Sequence, residues 1–167
     1  MYRNLKIVKI SSKYCSYLRK FDNKVSYNAG SKELRPFIGV LFKIGINEYF
    51  APLSSPKEKH KKLKNTIDLI KIKNGEYGVV NLNNMIPVTS DYYIEFDLNK
   101  TPNNKNEKYR LELLKNQLRW LTVNKRIIYT KSRLLYTLYI KDKLPKNVKD
   151  RCCNYKLLEE KCYEYDE

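Results

Sequence analysis

Histidine is almost absent from this chain: His60 is the single one in 167 residues, so a mechanism that needs two imidazoles is excluded. No G-x-S-x-G elbow, P-loop or G-x-G-x-x-G occurs, which removes three familiar hydrolase and nucleotide chemistries. No apolar run approaches the roughly 18 residues of a membrane span. The start, MYRNLKIVKISS, has neither an apolar signal core nor a small-residue cleavage site, so nothing directs the chain to secretion. The four cysteines, Cys15, Cys152, Cys153 and Cys162, form no C-x-x-C, and a vicinal pair is poor spacing for zinc. They read as reduced thiols of a cytosolic protein, with no metal and no cofactor expected.

Acid is also short. There are 18 Asp+Glu against 34 Lys+Arg, for a net charge of +16. The acids crowd at the end: residues 159–167 hold five of them and one lysine, which leaves +20 upstream. A small domain so charged repels itself and persists beside a polyanion that neutralises it. Nucleic acid is the first such partner and an anionic membrane surface the second. Hydrophobic residues at 42% with clear periodicity make the chain globular, and its length suits one domain over residues 1–167.

Residues 5–10 alternate as a first strand, and Ser11-Ser12 offers an N-cap to a helix with Tyr14, Tyr17, Leu18, Phe21 and Val25 on its apolar side. SYNAGSKELRP, residues 26–36, is a turn-rich loop. FIGVLFKI and EYFAPL flank Gly45-Ile46-Asn47 as a hairpin. TIDLIKIK and EYGVVNL form a second hairpin across Asn74-Gly75, and YYIEFDL adds a strand. TPNNKN opens a helical stretch with Tyr109, Leu113, Leu114, Trp120 and Leu121 at helical spacing. A second helix carries Ile127, Ile128, Leu134, Leu135 and Leu138, with a break near Asn124 and an end at Pro145. YKLLEEKCYEY closes the chain as a short amphipathic helix. Hairpins followed by clustered helices make the fold α+β.

One short segment stands out: YFAPLSSPKEKH, residues 49–60, where an apolar run ends in two serines held between Pro52 and Pro56. Five lysines and one acid fill residues 57–64. The ordinary reading is a turn with a solvated basic face, in which Ser55 bonds local backbone. The chemical reading starts from what is missing: residues 26–37 and 49–60 offer only Glu33 and Glu58, too few carboxylates for a two-metal nuclease. RNA, however, carries its own nucleophile, the 2′-OH. An enzyme need only align that hydroxyl, help remove its proton, stabilise charge on the phosphoryl oxygens and protonate the leaving 5′-oxygen. Hydroxyls and cations suffice, since a lysine beside other cations can move protons. Ser55 would bond the 2′-OH or the phosphate, and Lys57 would be cation or general acid/base. Lys59, Lys61, Lys62 and Lys64 would follow the RNA backbone, with His60 a surface or phosphate-contacting side chain. Tyr14, Tyr17 and Tyr27, near basic residues, either stack single-stranded bases or pack on the sheet.

Taken together, ISSKYCSYLRKFDNKVSYN, RPFIGVLFKI, YFAPLSSPKEKH and VVNLNNMIPV resemble, in order and separation, the ToxN/AbiQ family of endoribonuclease toxins. The resemblance is strong over residues 7–88 and weaker through the helical part. It implies a strongly twisted antiparallel sheet flanked by helices, and a metal-independent, sequence-preferring endoribonuclease of a type III toxin–antitoxin system. It also implies products with 2′,3′-cyclic phosphate and 5′-hydroxyl ends. The implied partners are a small repetitive antitoxin RNA, a pseudoknot cut from its precursor by the toxin, and cellular or phage RNA substrates. Closed protein–RNA rings and a part in abortive infection, in the cytoplasm and away from membranes, follow from the same likeness. The family's catalytic serine falls on Ser55, its preceding Thr/Ser on Ser54 and its lysine on Lys57. The lysine before the F-I-G strand falls on Arg35, which clamps phosphate but is a poor base. Tyr14 matches the tyrosine of the family's S-x-K-Y start, and His60 the histidine that closes the S-P-K segment.

Two other classes compete. A non-catalytic basic RNA-binding module would use the same face without cutting, and a DNA-binding or peripheral membrane protein would not need the RNA 2′-OH.

Overall fold

The computed structural model describes residues 4–27 and 35–166. Its frame is an eight-stranded sheet, and every strand pair in it is antiparallel. Strand β1 (Lys6–Ile10) leads into α1 (Ser12–Arg19), capped as the sequence predicts: Ser11 Oγ accepts from the Tyr14 N–H at 3.3 Å. β2 (Phe37–Gly39) and β3 (Lys43–Ile44) run along one side of β4 (Asn47–Ser54). The short helix α2 (Glu58–Lys62) follows, then β5 (Leu69–Lys71), β6 (Val79–Asn81), β7 (Ile86–Val88) and β8 (Tyr93–Glu95). The helical half comprises α3 (Lys105–Val123), α4 (Lys125–Ile140), α5 (Lys146–Arg151) and α6 (Tyr155–Glu164).

β4 is the axis of the sheet, and it changes partner on both sides along its length. Its first residues pair with β3 and β7, its last with β2 and β6. Asn47 to Leu53 are buried without interruption, as a strand covered on both faces requires. A proline inside such a strand normally removes a ladder bond. Pro52 escapes this because it lies in the gap where β4 leaves β7, after Phe50, and meets β6 at Leu53. The next amide, of Leu53, donates to the Pro36 carbonyl at 2.9 Å. β4 therefore continues through Pro52 to Ser54.

Successive side chains of β4 point to opposite faces. Phe50 packs against Tyr93 and fills the space beside Gly39. Tyr49 faces α4 and α6, where its hydroxyl and that of Tyr136 both donate to Glu159 Oε1, at 2.7 and 2.6 Å. Phe42, Tyr136 and Tyr155 close around it. One buried cluster draws residues from Leu5 to Cys162. All four cysteines are buried as free thiols, and burial raises the pKa of Cys152, Cys153 and Cys162.

Several expectations shift. The second hairpin forms, but Asn74-Gly75 is not a two-residue turn: Lys71 pairs with Val79, and the connection runs through a 3-10 turn at Ile72–Gly75 to Gly78. β7 and α5 had no clear signal, and the helix expected to reach Pro145 ends at Ile140, with Pro145 instead opening α5. The break at Asn124 holds, its side-chain amide donating to the Trp120 carbonyl at 2.8 Å. In α3 the buried face is Leu111, Leu114, Gln117 and Leu121, while Tyr109 is exposed. Of the loop expected over 26–36, residues 28–34, Glu33 included, lie outside the described residues. No helix among the described residues is long and apolar enough to cross a membrane.

Candidate active site

The serine pair sits where β4 ends. Ser54 is its last residue, half-buried, and Ser55 is exposed just beyond. Two backbone features hold them there, and a third holds the chain that follows. Ser54 pairs with Val79 at the edge of β6. Gly78, at φ +92°, brings its own backbone against the pair: a Cβ at that position would lie 1.9 Å from the Ser54 carbonyl oxygen and 3.1 Å from the Ser55 carbonyl carbon. Gly75, at φ +90°, does the same to His60, whose carbonyl carbon would stand 2.8 Å from a Cβ. The β5–β6 connection thus cradles the whole segment from Ser54 to His60 with two glycines.

His60 completes the cradle. It is 3% exposed, and its Nδ1 accepts the Lys57 backbone N–H at 3.1 Å across the start of α2. Burial, and then the nearby cations Lys59 and Lys57, lower its pKa from the ordinary imidazole value. The placement corrects the expectation of a surface or phosphate-contacting histidine: His60 folds inward and fixes the backbone on which Lys57 stands. At the other end of α2, Lys71 Nζ donates to the carbonyls of Lys61 and Leu63 at 2.9 and 3.1 Å.

Beside the serines is a cavity of about 380 Å³. Its walls bring together Ser54, Ser55 and Lys57 from the segment, Arg35 from before β2, and Arg110 and Gln117 from α3. Three cations from three separate elements converge there, and no carboxylate lines it among the described residues. Arg35 Nε is buried and has no hydrogen-bond partner among the described residues. Burial lowers the pKa of both arginines, yet a guanidinium stays charged at any physiological pH. Glu107 opposes that shift at Arg110. Arg110 also lies over the Phe96 ring, 5.7 Å from its centroid. Gln117 is held by its Nε2–H donating to the Tyr77 carbonyl at 2.8 Å. Such a pocket suits a phosphate flanked by hydroxyls.

Of the residues singled out from sequence, the cavity gathers Ser54, Ser55, Lys57 and Arg35. Lys59, Lys61, Lys62 and Lys64 are exposed on and beyond α2, with Lys61 paired to Glu58 at 3.3 Å. Tyr14 is a correction. It is fully buried, its hydroxyl donates to the Pro87 carbonyl at 2.6 Å, its ring stacks on Tyr92, and it does not line the cavity. Burial raises its pKa, and its hydroxyl is engaged within the core away from the cavity walls. Tyr17 likewise packs, against Phe21 and Tyr165, and donates to the Lys161 carbonyl at 3.0 Å. Tyr27 is 49% exposed under the Arg19 guanidinium, away from the cavity's walls. Sequence reasoning missed Arg110, Gln117 and Asn81. Nothing local marks an arginine in a basic helix as facing a serine on a distant strand. The glycines of GEYG did carry a signal, since a glycine at a strand start often marks a close backbone approach.

The family described as Toxin ToxN, type III toxin–antitoxin system, matches residues 6–163. The chain is 35% identical over 169 residues to an endoribonuclease ToxN of Bacillus thuringiensis subsp. kurstaki, covering 98% of this chain and 86% of that one. A solved structure of a type III toxin–antitoxin system, described as selective toxin inhibition by a non-coding RNA pseudoknot, superposes with a TM-score of 0.83 at 31% identity and covers 99% of both chains. AbiQ, described as a lactococcal anti-phage endoribonuclease belonging to the type III toxin–antitoxin system, superposes with a TM-score of 0.82 at 27% identity over 98% of each chain.

Proposed function

The chain belongs to the ToxN family of type III toxin–antitoxin toxins, and we propose that it is an endoribonuclease that cuts RNA at the Ser54–Ser55 cavity without a metal. The observation that carries this reading is the convergence of Arg35, Lys57 and Arg110 on the serine pair, with no carboxylate among the described lining residues to hold a cation. In the reaction the 2′-oxygen attacks the adjacent phosphorus as its proton passes to solvent water, and the bond to the 5′-oxygen breaks as that oxygen gains a proton from the Lys57 ammonium, which solvent then reprotonates. The products are a 2′,3′-cyclic phosphate and a 5′-hydroxyl. Ser55, exposed at the strand end, aligns the 2′-OH. Arg35 and Arg110 neutralise charge developing on the phosphoryl oxygens, and Lys57 supplies a further cation and the proton for the leaving oxygen. The exposed lysines of α2 guide the flanking backbone.

The protein works in the cytoplasm as one domain. Its partner is a small pseudoknot antitoxin RNA that it processes and that holds it inactive, in a closed protein–RNA assembly. Released, it cuts cellular or phage RNA with some sequence preference and serves in phage defence. The test is end-group analysis of RNA incubated in EDTA with antitoxin-free wild type and with Ser55→Ala. Cyclic-phosphate and 5′-hydroxyl ends that vanish with the variant, while RNA binding survives, support the reading. RNA bound but intact with both proteins would make the chain a binding module instead.

A further inference from the structure

Asn81 ends β6 beside the serine pair. Ser54 sits opposite Val79 in the ladder, so Asn81, two residues along, shares its face as the diagonal neighbour. From there its side-chain Nδ2–H donates to Ser54 Oγ at 2.8 Å. A serine hydroxyl has one hydrogen and two lone pairs. With one lone pair filled by the amide, the hydroxyl hydrogen is turned away from Asn81. Ser54 lines the cavity where the three cations meet.

From this geometry we propose that Asn81 is the positioning residue of the site: it fixes the Ser54 hydroxyl as a hydrogen-bond donor toward a phosphoryl oxygen of bound RNA. The assignment rests on the reading of the cavity as an RNA-cleaving site. Gly78 supports it structurally, because the close passage of its backbone behind Ser54 fixes the register that places Asn81 within reach. Asn81 touches no substrate; it acts through Ser54. A donor aimed in advance at the oxygen where charge develops needs no reorganisation as the reaction proceeds.

The experiment is a double-mutant cycle on single-turnover cleavage of an end-labelled, mixed-sequence RNA transcript, with binding measured alongside. Ser54→Ala and Asn81→Ala are each expected to slow cleavage about 10²-fold, the usual loss of one such donor, with RNA affinity changed by less than about twofold. The double variant is expected to be no slower than Ser54→Ala. Asn81→Asp keeps the shape and guards against a misfolded alanine variant. Its carboxylate accepts the Ser54 hydrogen instead of donating, so cleavage falls to the Ser54→Ala level although thermal melting stays within a few degrees. A cycle in which the two losses multiply, or an Asn81→Asp protein that cuts at the wild-type rate, overturns the assignment. If Ser55→Ala abolishes cutting in the same assay, that failure concerns Asn81 alone. If Ser55→Ala cuts like wild type, the reading of the cavity falls and the Asn81 assignment falls with it.

Discussion

The imidazole of His60 accepts the backbone N–H of Lys57 and is buried in doing so, which ties the chain's one histidine to the lysine nearest the serines. This bond needs a neutral Nδ1. Burial and the adjacent lysines lower the His60 pKa in the folded protein, whereas in the unfolded chain it sits at about 6.5. Between these values the unfolded state binds more protons, so stability rises with pH there. The His60 contribution is complete above the ordinary imidazole pKa and is lost as pH falls from it through the lowered folded value. Urea unfolding from pH 8 to pH 5 should therefore show a larger loss for wild type than for His60→Asn, which keeps an acceptor but cannot titrate. Parallel curves would show that His60 does not carry this dependence.

Gly78 and Gly45 separate strain from collision. Both have positive φ, but a Cβ at Gly45 meets nothing nearer than the Tyr163 hydroxyl at 3.9 Å, while one at Gly78 meets the Ser54 carbonyl oxygen at 1.9 Å. Gly45→Ala should cost about 1–2 kcal/mol of stability and leave RNA cleavage intact. Gly78→Ala should cost about 2–4 kcal/mol and also suppress cleavage, because the serine pair must move. Chemical denaturation with a cleavage assay on the same samples checks both.

The three cations of the cavity should each contribute one phosphate contact. Lys57→Ala, Arg35→Ala and Arg110→Ala are expected to weaken binding of single-stranded RNA about three- to tenfold and to reduce the slope of log affinity against log salt by about 0.7. Arg35→Lys should restore the slope but not full cleavage, since an ammonium lacks the guanidinium fork. An unchanged slope in Arg110→Ala would remove α3 from the RNA path.

Glu159 joins two buried tyrosines far from this chemistry. Its Oε1 accepts from Tyr49 and Tyr136, and Oε2 lies 3.5 Å from Lys156 Nζ. Glu159→Gln keeps an acceptor and should cost about 1 kcal/mol. Glu159→Ala strands both hydroxyls and leaves a void, for about 3–5 kcal/mol. Equal melting temperatures for the two variants would contradict this.

What the sequence by itself determined is what depends on neighbours a few residues away. The Ser11 cap, the first hairpin about Gly45 and the break at Asn124 follow from local bonds and periodicity, and the SSPK segment marked the strand end that lines the cavity. Tyr14 and His60 show where such reading stops. A tyrosine or histidine near lysines has the same local signature whether it meets phosphate or closes a core, and only the apolar surfaces that pack around it settle which. Tertiary packing buries Tyr14 against Pro87 and Tyr92, and it buries His60, whose backbone carbonyl lies against Gly75. The same tertiary packing sets Arg110 of α3 and Ser55 after β4 on the walls of one cavity, and the pairing of β4 with β6 brings Asn81 to Ser54. Neither is periodic or adjacent in the chain. Both arise because the sheet and the helices must share one buried core.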